Sequence, residues 1–194
     1  MQLQIGYCPQ YDILWDNMTV REHLLFYARV KGIGPHLEED MVEKALDNVL
    51  LKKFAEFRVR ELSGGMKRRL SVAISIVSDP KIIYLDEPTT GLDPESRRQL
   101  WDILCSLKGS KAIIITTHSM EEADVLCNRI AIVNQGILRC VAPQVRLKSL
   151  YGGGYHLEIN CVKERYLQMQ QKQQKRKQRK DKKKEAQEQA QQES

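Results

Sequence analysis

The sequence predicts an α/β domain with a mostly parallel sheet, followed by a basic low-complexity tail. Short apolar runs alternate with segments of helical periodicity over most of the first 150 residues, the pattern of strands joined by crossover helices. The run Ile82-Ile83-Tyr84-Leu85 is continuously apolar, as suits a central parallel strand. Beyond Lys163 the chain turns to ten glutamines in 32 residues, a composition with too little apolar surface to offset the entropy of ordering.

Each element has its own local warrant. Thr19-Val20-Arg21-Glu22 puts a hydroxyl at an N-cap and a carboxylate three residues on, a capping box. It opens a helix with Leu24, Leu25, Tyr27 and Ala28 on its apolar face, closed near Gly32. A second helix runs from about Leu37 to Leu51, with Val42, Ala45, Leu46, Val49 and Leu50 at helical spacing. Ser63 starts a third helix, which stops before Asp79-Pro80. After the strand at Ile82, Glu95 to Leu107 is helical and Ala112 to Thr116 is a strand. Ser119-Met120-Glu121-Glu122 repeats the capping-box pattern ahead of a further helix. Arg129 to Val133, Asn134-Gln135-Gly136 and Ile137 to Cys140 form a hairpin. There is no internal repeat.

Composition excludes several classes. With 42% hydrophobic and 29% charged residues, the chain is not collagen-like, mucin-like or wholly disordered. Residues 1–162 hold 20 basic and 20 acidic side chains, and the last 32 residues hold 11 and 5, so the tail carries the whole net charge of +6. A neutral body argues against a general nucleic-acid binder, whose cationic surface would belong to the fold. Apolar runs such as Ile113-Ile114-Ile115 and Ile130-Ala131-Ile132-Val133 fall far short of the ~20 residues a bilayer needs. The opening MQLQIGYCPQYD lacks the basic and apolar regions of a signal peptide. Cys8, Cys105, Cys127, Cys140 and Cys161 form no C-x-x-C pair and read as reduced cytosolic thiols, mostly core fillers.

Four strings carry chemistry. Ile82-Ile83-Tyr84-Leu85-Asp86-Glu87-Pro88 ends a strand in two carboxylates, at the strand end where open α/β sheets collect ligands. Asp86 suits Mg²⁺ through oxygen coordination, and Glu87 can take a proton from an attacking water. Taken alone, the string is equally a strand followed by helix-capping acids. Leu62-Ser63-Gly64-Gly65-Met66-Lys67-Arg68-Arg69 opens a helix with a serine cap and two glycines, which lets backbone amides approach an anion. It also reads as an ordinary helix start. Thr116-Thr117-His118 places a histidine beyond a strand, able to contact a phosphate or orient a water, although a lone histidine is more often structural. In Tyr7-Cys8-Pro9-Gln10-Tyr11-Asp12, Gln10 can reach a metal or water, but a single loop glutamine is uninformative.

Along the chain the order is the Gln10 loop, Leu62-Ser63-Gly64-Gly65, Leu85-Asp86-Glu87-Pro88, Gly91-Leu92-Asp93-Pro94 and Thr116-Thr117-His118, and in this order the strings make the chain resemble the nucleotide-binding domain of ABC transporters. IGYCPQYDILWDNMTVREHLLFYARVKGI, LSGGMKRRLSVAISIVSDPKIIYLDEPTTGLDP and GILRCVAPQVRLKSLYGGGYHLEI are similar to the A subfamily, which resembles lipid exporters and flippases. The resemblance covers about residues 3–160. It implies a P-loop NTPase-like fold with a helical signature subdomain, and ATP and Mg²⁺ as cofactors. It further implies that Gln10 is the glutamine-loop residue near Mg²⁺ and the membrane domain, and that Ser63, Gly64 and Gly65 contact ATP held by a partner domain. Asp86 would then be the Walker B metal residue, Glu87 the general base, Asp93 a dimer-interface residue and His118 the switch histidine. The implied partners are a second ATPase domain, head to tail, and transmembrane domains carrying a lipid substrate, at the cytoplasmic face of a membrane. Met66 stands where many members have glutamine.

No G-x-x-x-x-G-K-[ST] occurs in the chain, and in the family that phosphate loop precedes the glutamine loop. The resemblance therefore implies a partial domain, inactive by itself: residues 1–150 as partial ATPase domain, 151–162 as the start of a following segment, 163–194 as tail. An SMC-type ATPase would insert a long coiled coil between the two halves, whereas only 53 positions separate Gln10 from Ser63. A non-catalytic interaction module with a tail for anionic surfaces is the other alternative. The tail has no aromatic after Tyr166 to stack on a nucleic-acid base.

Overall fold

The computed structural model describes residues 4–152. The 163–194 tail and Cys161 lie outside the described residues. Met1–Leu150 is one compact unit, an α/β unit with three parallel strands in the order β1-β2-β3: β1 Ile5–Cys8, β2 Ile82–Asp86 and β3 Ala112–Thr116. The central place of β2 agrees with its apolar run. β1, only four residues long and containing Gly6, is a strand that sequence periodicity does not reveal.

Between β1 and β2 stand α1 Val20–Val30, α2 Pro35–Asn48 and α3 Gly64–Ile76, which pack on one another, with 3-10 turns at Lys52–Phe54 and Val59–Glu61. The Thr19 capping box forms reciprocally: Thr19 Oγ1 accepts from the Glu22 amide at 3.1 Å, and the Thr19 amide donates to Glu22 Oε2 at 2.7 Å. α2 differs from its expected span. It starts at Pro35, an N1 proline pre-set for a helix, and ends at Asn48 rather than Leu51. Leu50 adopts φ 58° and is exposed, so it belongs to the helix exit and not to the buried face of Val42, Ala45, Leu46 and Val49.

Then come α4 Pro94–Leu107, α5 Met120–Leu126, the hairpin β4 Ile130–Asn134 with β5 Ile137–Ala142, and α6 Gln144–Tyr151. The hairpin turn has φ 52° at Gln135 and 73° at Gly136, the paired left-handed geometry that matches strand twist. At α5 the second capping box forms only by half. Ser119 Oγ accepts from the Glu122 amide at 3.3 Å, but the Glu122 carboxylate is buried and finds no hydrogen-bond donor among the described residues.

Leu24, Leu46, Leu70, Ile83, Leu85, Leu100 and Leu104 are fully buried, each contributing about 1.5–3 kcal/mol relative to exposure. Cys8 joins this core, whereas Cys105 is exposed and Cys127 and Cys140 are half-buried. The expectation that the cysteines mostly fill the core therefore holds for Cys8 alone among the described four. Because strand side chains alternate, Ile83 and Leu85 point into the core while Tyr84 faces outward. Tyr84 pairs with Tyr7 on one side and Ile114 on the other, and all three are exposed. Among the described residues, one sheet face is covered and the other is an open apolar row. No described helix is long and apolar enough to cross a membrane.

Candidate functional site

Parallel pairing brings the carboxyl ends of β1, β2 and β3 side by side, with Cys8 opposite Leu85 and Asp86 opposite Thr116. The residues that follow each strand therefore meet, whatever their separation in sequence. Asp86 ends β2, and Glu87 turns sharply after it at φ 42°. That left-handed backbone costs a non-glycine residue about 1–2 kcal/mol. It also ends the strict alternation of the strand, so two consecutive carboxylates can serve one strand end.

Glu87 Oε2 is the centre of the cluster. It accepts from Gln10 Nε2 at 3.2 Å and from Thr90 Oγ1 at 2.9 Å, and lies 3.3 Å from His118 Nδ1. The Glu87 amide donates to both the carbonyl and the hydroxyl oxygen of Thr116, each at 3.1 Å. Thr116 Oγ1 in turn donates to Asp86 Oδ1. Gln10, Asp86, Glu87 and His118 are thus gathered in one place, with Gln10 and His118 exposed and the carboxylates half-buried. Beneath them, Cys8 is buried and its thiol is pushed up to about 11, because the thiolate would lose its solvation. It stays protonated and takes no part in the site's charge.

The second group lies where α3 and α4 begin. Ser63 caps α3, accepting from the Met66 amide at 3.2 Å. Ser63 and Gly64 are exposed and Gly65 is buried. A Cβ added at Gly64 would meet nothing within 4 Å, whereas one at Gly65 would lie 2.8 Å from Ser96 Cβ and closer still to its hydroxyl. The two glycines therefore differ: Gly65 permits close packing of α3 on α4, and Gly64 leaves open space at the helix start. Asp93 caps α4, accepting from the Ser96 amide at 3.0 Å. Those amide bonds favour the charged form and hold its carboxyl below the usual range. Ser96 thus joins Asp93 to the serine-glycine string.

Three further residues belong to the site and were not singled out by sequence: Thr90, Thr116 and Arg68. Thr90 follows Glu87 by three, a turn spacing, and Thr116 is the residue opposite Asp86 once β3 is aligned, so each leaves a weak trace. Arg68 leaves none beyond its place in a basic run, yet its side chain is 4% exposed.

Comparison with known proteins decides the family. Residues 1–90 match the family described as "ABC transporter". The chain is 52% identical over 159 residues to ABC transporter A family member 2 of Arabidopsis thaliana, covering 82% of this chain and 16% of that protein. It is 48% identical over 169 residues to A family member 8 of the same plant, covering 86% and 19%. To A family member 1 of Dictyostelium discoideum it is 49% identical over 151 residues, covering 78% and 17%.

The chain belongs to the ABC transporter family.

It is similar in particular to A family ABC transporters, and spans less than a fifth of the length of these relatives. The described parallel sheet is accordingly part of the P-loop NTPase fold of an ABC transporter nucleotide-binding domain. In that fold the Gln10–Glu87–His118 cluster lies beyond the carboxyl ends of the strands, the edge at which open α/β sheets bind ligands.

Proposed function

We propose that the chain is the C-terminal part of an ABC transporter ATP-binding domain that couples ATP hydrolysis to transport, with lipids as the substrate class. The observation that carries the proposal is the convergence of Gln10 and His118 on Glu87 Oε2 from the ends of three strands. Such a carboxylate can accept a proton as a water oxygen bonds to the γ-phosphorus and the bond to the ADP oxygen breaks. Gln10 and His118 hold that carboxylate's position, and His118 can also donate to the phosphate oxygens. The lipid class follows from the resemblance to the A subfamily.

Mg²⁺ fits the residues present. Hard cations bound with nucleotide take one or two protein oxygens and complete their shell with phosphates and water. Asp86 and the Gln10 amide oxygen offer that set, and no ready-made cage of three acidic, histidine or cysteine ligands exists among the described residues. Bound there, the ion would neutralise charge developing between the phosphates. Ser63 and the exposed Gly64, at a helix start with free amides, suit the phosphates of an ATP bound to a partner domain. Asp93 would face that partner. Transmembrane domains would complete the transporter, with this domain on the cytoplasmic side.

The exposed row of Tyr7, Tyr84 and Ile114 and the buried Glu122 carboxylate, which meets no donor among the described residues, support a partial domain whose phosphate loop lies on another segment. Calorimetry with Mg-ATP tests this. The 194-residue chain should bind ATP only weakly, and the same chain joined to the phosphate-loop segment of an A family relative should bind it well. Micromolar binding by the 194-residue chain alone would refute the partial-domain reading.

A further inference from the structure

Arg68 binds the main chain of the segments after both β1 and β2. It stands on α3 five positions after Ser63, and its guanidinium is buried. Nη1 donates to the carbonyl oxygens of Pro9 at 2.7 Å and Gln10 at 3.2 Å, and to Asp12 Oδ1 at 3.1 Å. Nη2 donates to the carbonyl oxygens of Asp86 at 3.0 Å and Glu87 at 3.4 Å. Nε donates to the carbonyl oxygen of Pro88 at 2.8 Å. Asp12 is itself tied back to α3, accepting from Ser71 Oγ at 2.7 Å.

The pattern differs from that of an ordinary buried ion pair. A carboxylate would satisfy the charge by itself, yet all but one of the acceptors here are backbone carbonyls, split between two loops. A planar fork with five fixed donors can hold two backbones at a set distance, and a lysine ammonium, a point charge on a flexible stem, cannot. One nitrogen holds the backbone of Gln10 and the other the backbone of Glu87, and the side chains of those two residues meet at 3.2 Å.

We propose that Arg68 is a positioning residue, which fixes the glutamine loop against the β2 exit so that Gln10 reaches Glu87. The proposal rests on the reading of Glu87 as the proton-accepting carboxylate. Arg68 touches no substrate and acts through those two residues. It also links the serine-glycine helix to them, because the same α3 that begins at Ser63 carries the fork. A shift of that helix then moves both loops together.

Hydrogen exchange on the 194-residue chain tests the proposal without nucleotide. In Arg68→Lys, peptides spanning residues 8–14 and 86–92 should exchange at least about tenfold faster than in the parent, while α4 stays unchanged, because only the local openings become easier. Arg68→Met should lower the melting temperature, and Lys at the same position should restore most of it by returning charge and stem, without restoring protection of the two loops. A merely structural arginine would lose and regain both together. Should the Met variant fail to fold, the Lys variant against the parent still decides. Unchanged loops in Arg68→Lys, or faster exchange spread equally over α4, would overturn the proposal. Since no ATP is present, loosened loops would stand even if Glu87 proved to have no part in hydrolysis, a failure that only turnover of Glu87→Gln would reveal.

Discussion

Gly64 and Gly65 adjoin in sequence but should respond oppositely to alanine. At Gly65 the new methyl would sit 2.8 Å from Ser96 Cβ and nearer its hydroxyl, a distance that real side chains do not tolerate. Ser96 is held by Asp93 at the start of α4, so the strain falls on the α3–α4 contact. Overpacking of this kind costs about 1–3 kcal/mol, and the gain in helix propensity over glycine returns roughly 0.5–1 kcal/mol. The net loss, ~1 kcal/mol at mid-range and up to about 2.5 kcal/mol, corresponds to a melting temperature lower by up to roughly 10 °C for a unit of this size. At Gly64 nothing lies within 4 Å, so the propensity gain is unopposed and Gly64→Ala should leave stability unchanged or raise it by up to about 1 kcal/mol. Thermal unfolding followed by circular dichroism measures both. Ser96→Gly placed on Gly65→Ala removes the clashing atoms and should recover part of the loss. Equal melting temperatures for the two alanine variants would refute the assignment of packing to Gly65 and open space to Gly64.

Two other outcomes follow from buried titratable groups. His23 is fully buried: its Nε2 accepts from the Trp15 amide at 2.9 Å, and Nδ1 lies 2.9 Å from the Thr19 carbonyl. Burial lowers its pKa below 6.5, so below that pH the unfolded chain binds the extra proton, and stability present above it is lost by at most about 1.4 kcal/mol per pH unit. His23→Gln, which can still accept and donate, should flatten urea midpoints between pH 6.5 and 5; an unchanged slope would contradict the burial argument. Cys8, its thiol pushed up to about 11, should resist iodoacetamide at pH 8 while the exposed Cys105 is modified, because only thiolate reacts. Mass spectrometry of the native chain reads this directly, and equal labelling would contradict it.

Much of the architecture was legible because local signals were strong. The Thr19 box, the apolar run at Ile82 and the N-cap at Ser63 each carry their own chemistry within a few residues, whereas the cap at Asp93 was seen only in the structure. Strand β1 was not legible, since Gly6, a residue type depleted in strands, interrupts a run of only four residues, too short to show a period. Helix α6 was equally faint, with Leu147 its only buried residue. At the site, the acidic strand end and the histidine could be named from sequence, whereas their meeting at Glu87 depended on parallel register. Arg68 was hidden for a different reason. Its acceptors are mainly main-chain oxygens, which every residue possesses, so no pairing of residue types marks it, and Lys67-Arg68-Arg69 reads as a solvated basic run.

The central claim is that Glu87 takes the proton in ATP hydrolysis, and one measurement bears on it most directly. Steady-state ATPase turnover and nucleotide affinity would be compared for the parent and Glu87→Gln, both joined to the phosphate-loop segment of an A family relative. The amide keeps the size and shape of the side chain but cannot accept the proton. Turnover should fall roughly 10²–10⁴-fold with ATP affinity retained, because Glu87 does not hold the phosphates. Near-parental turnover in Glu87→Gln would contradict the account.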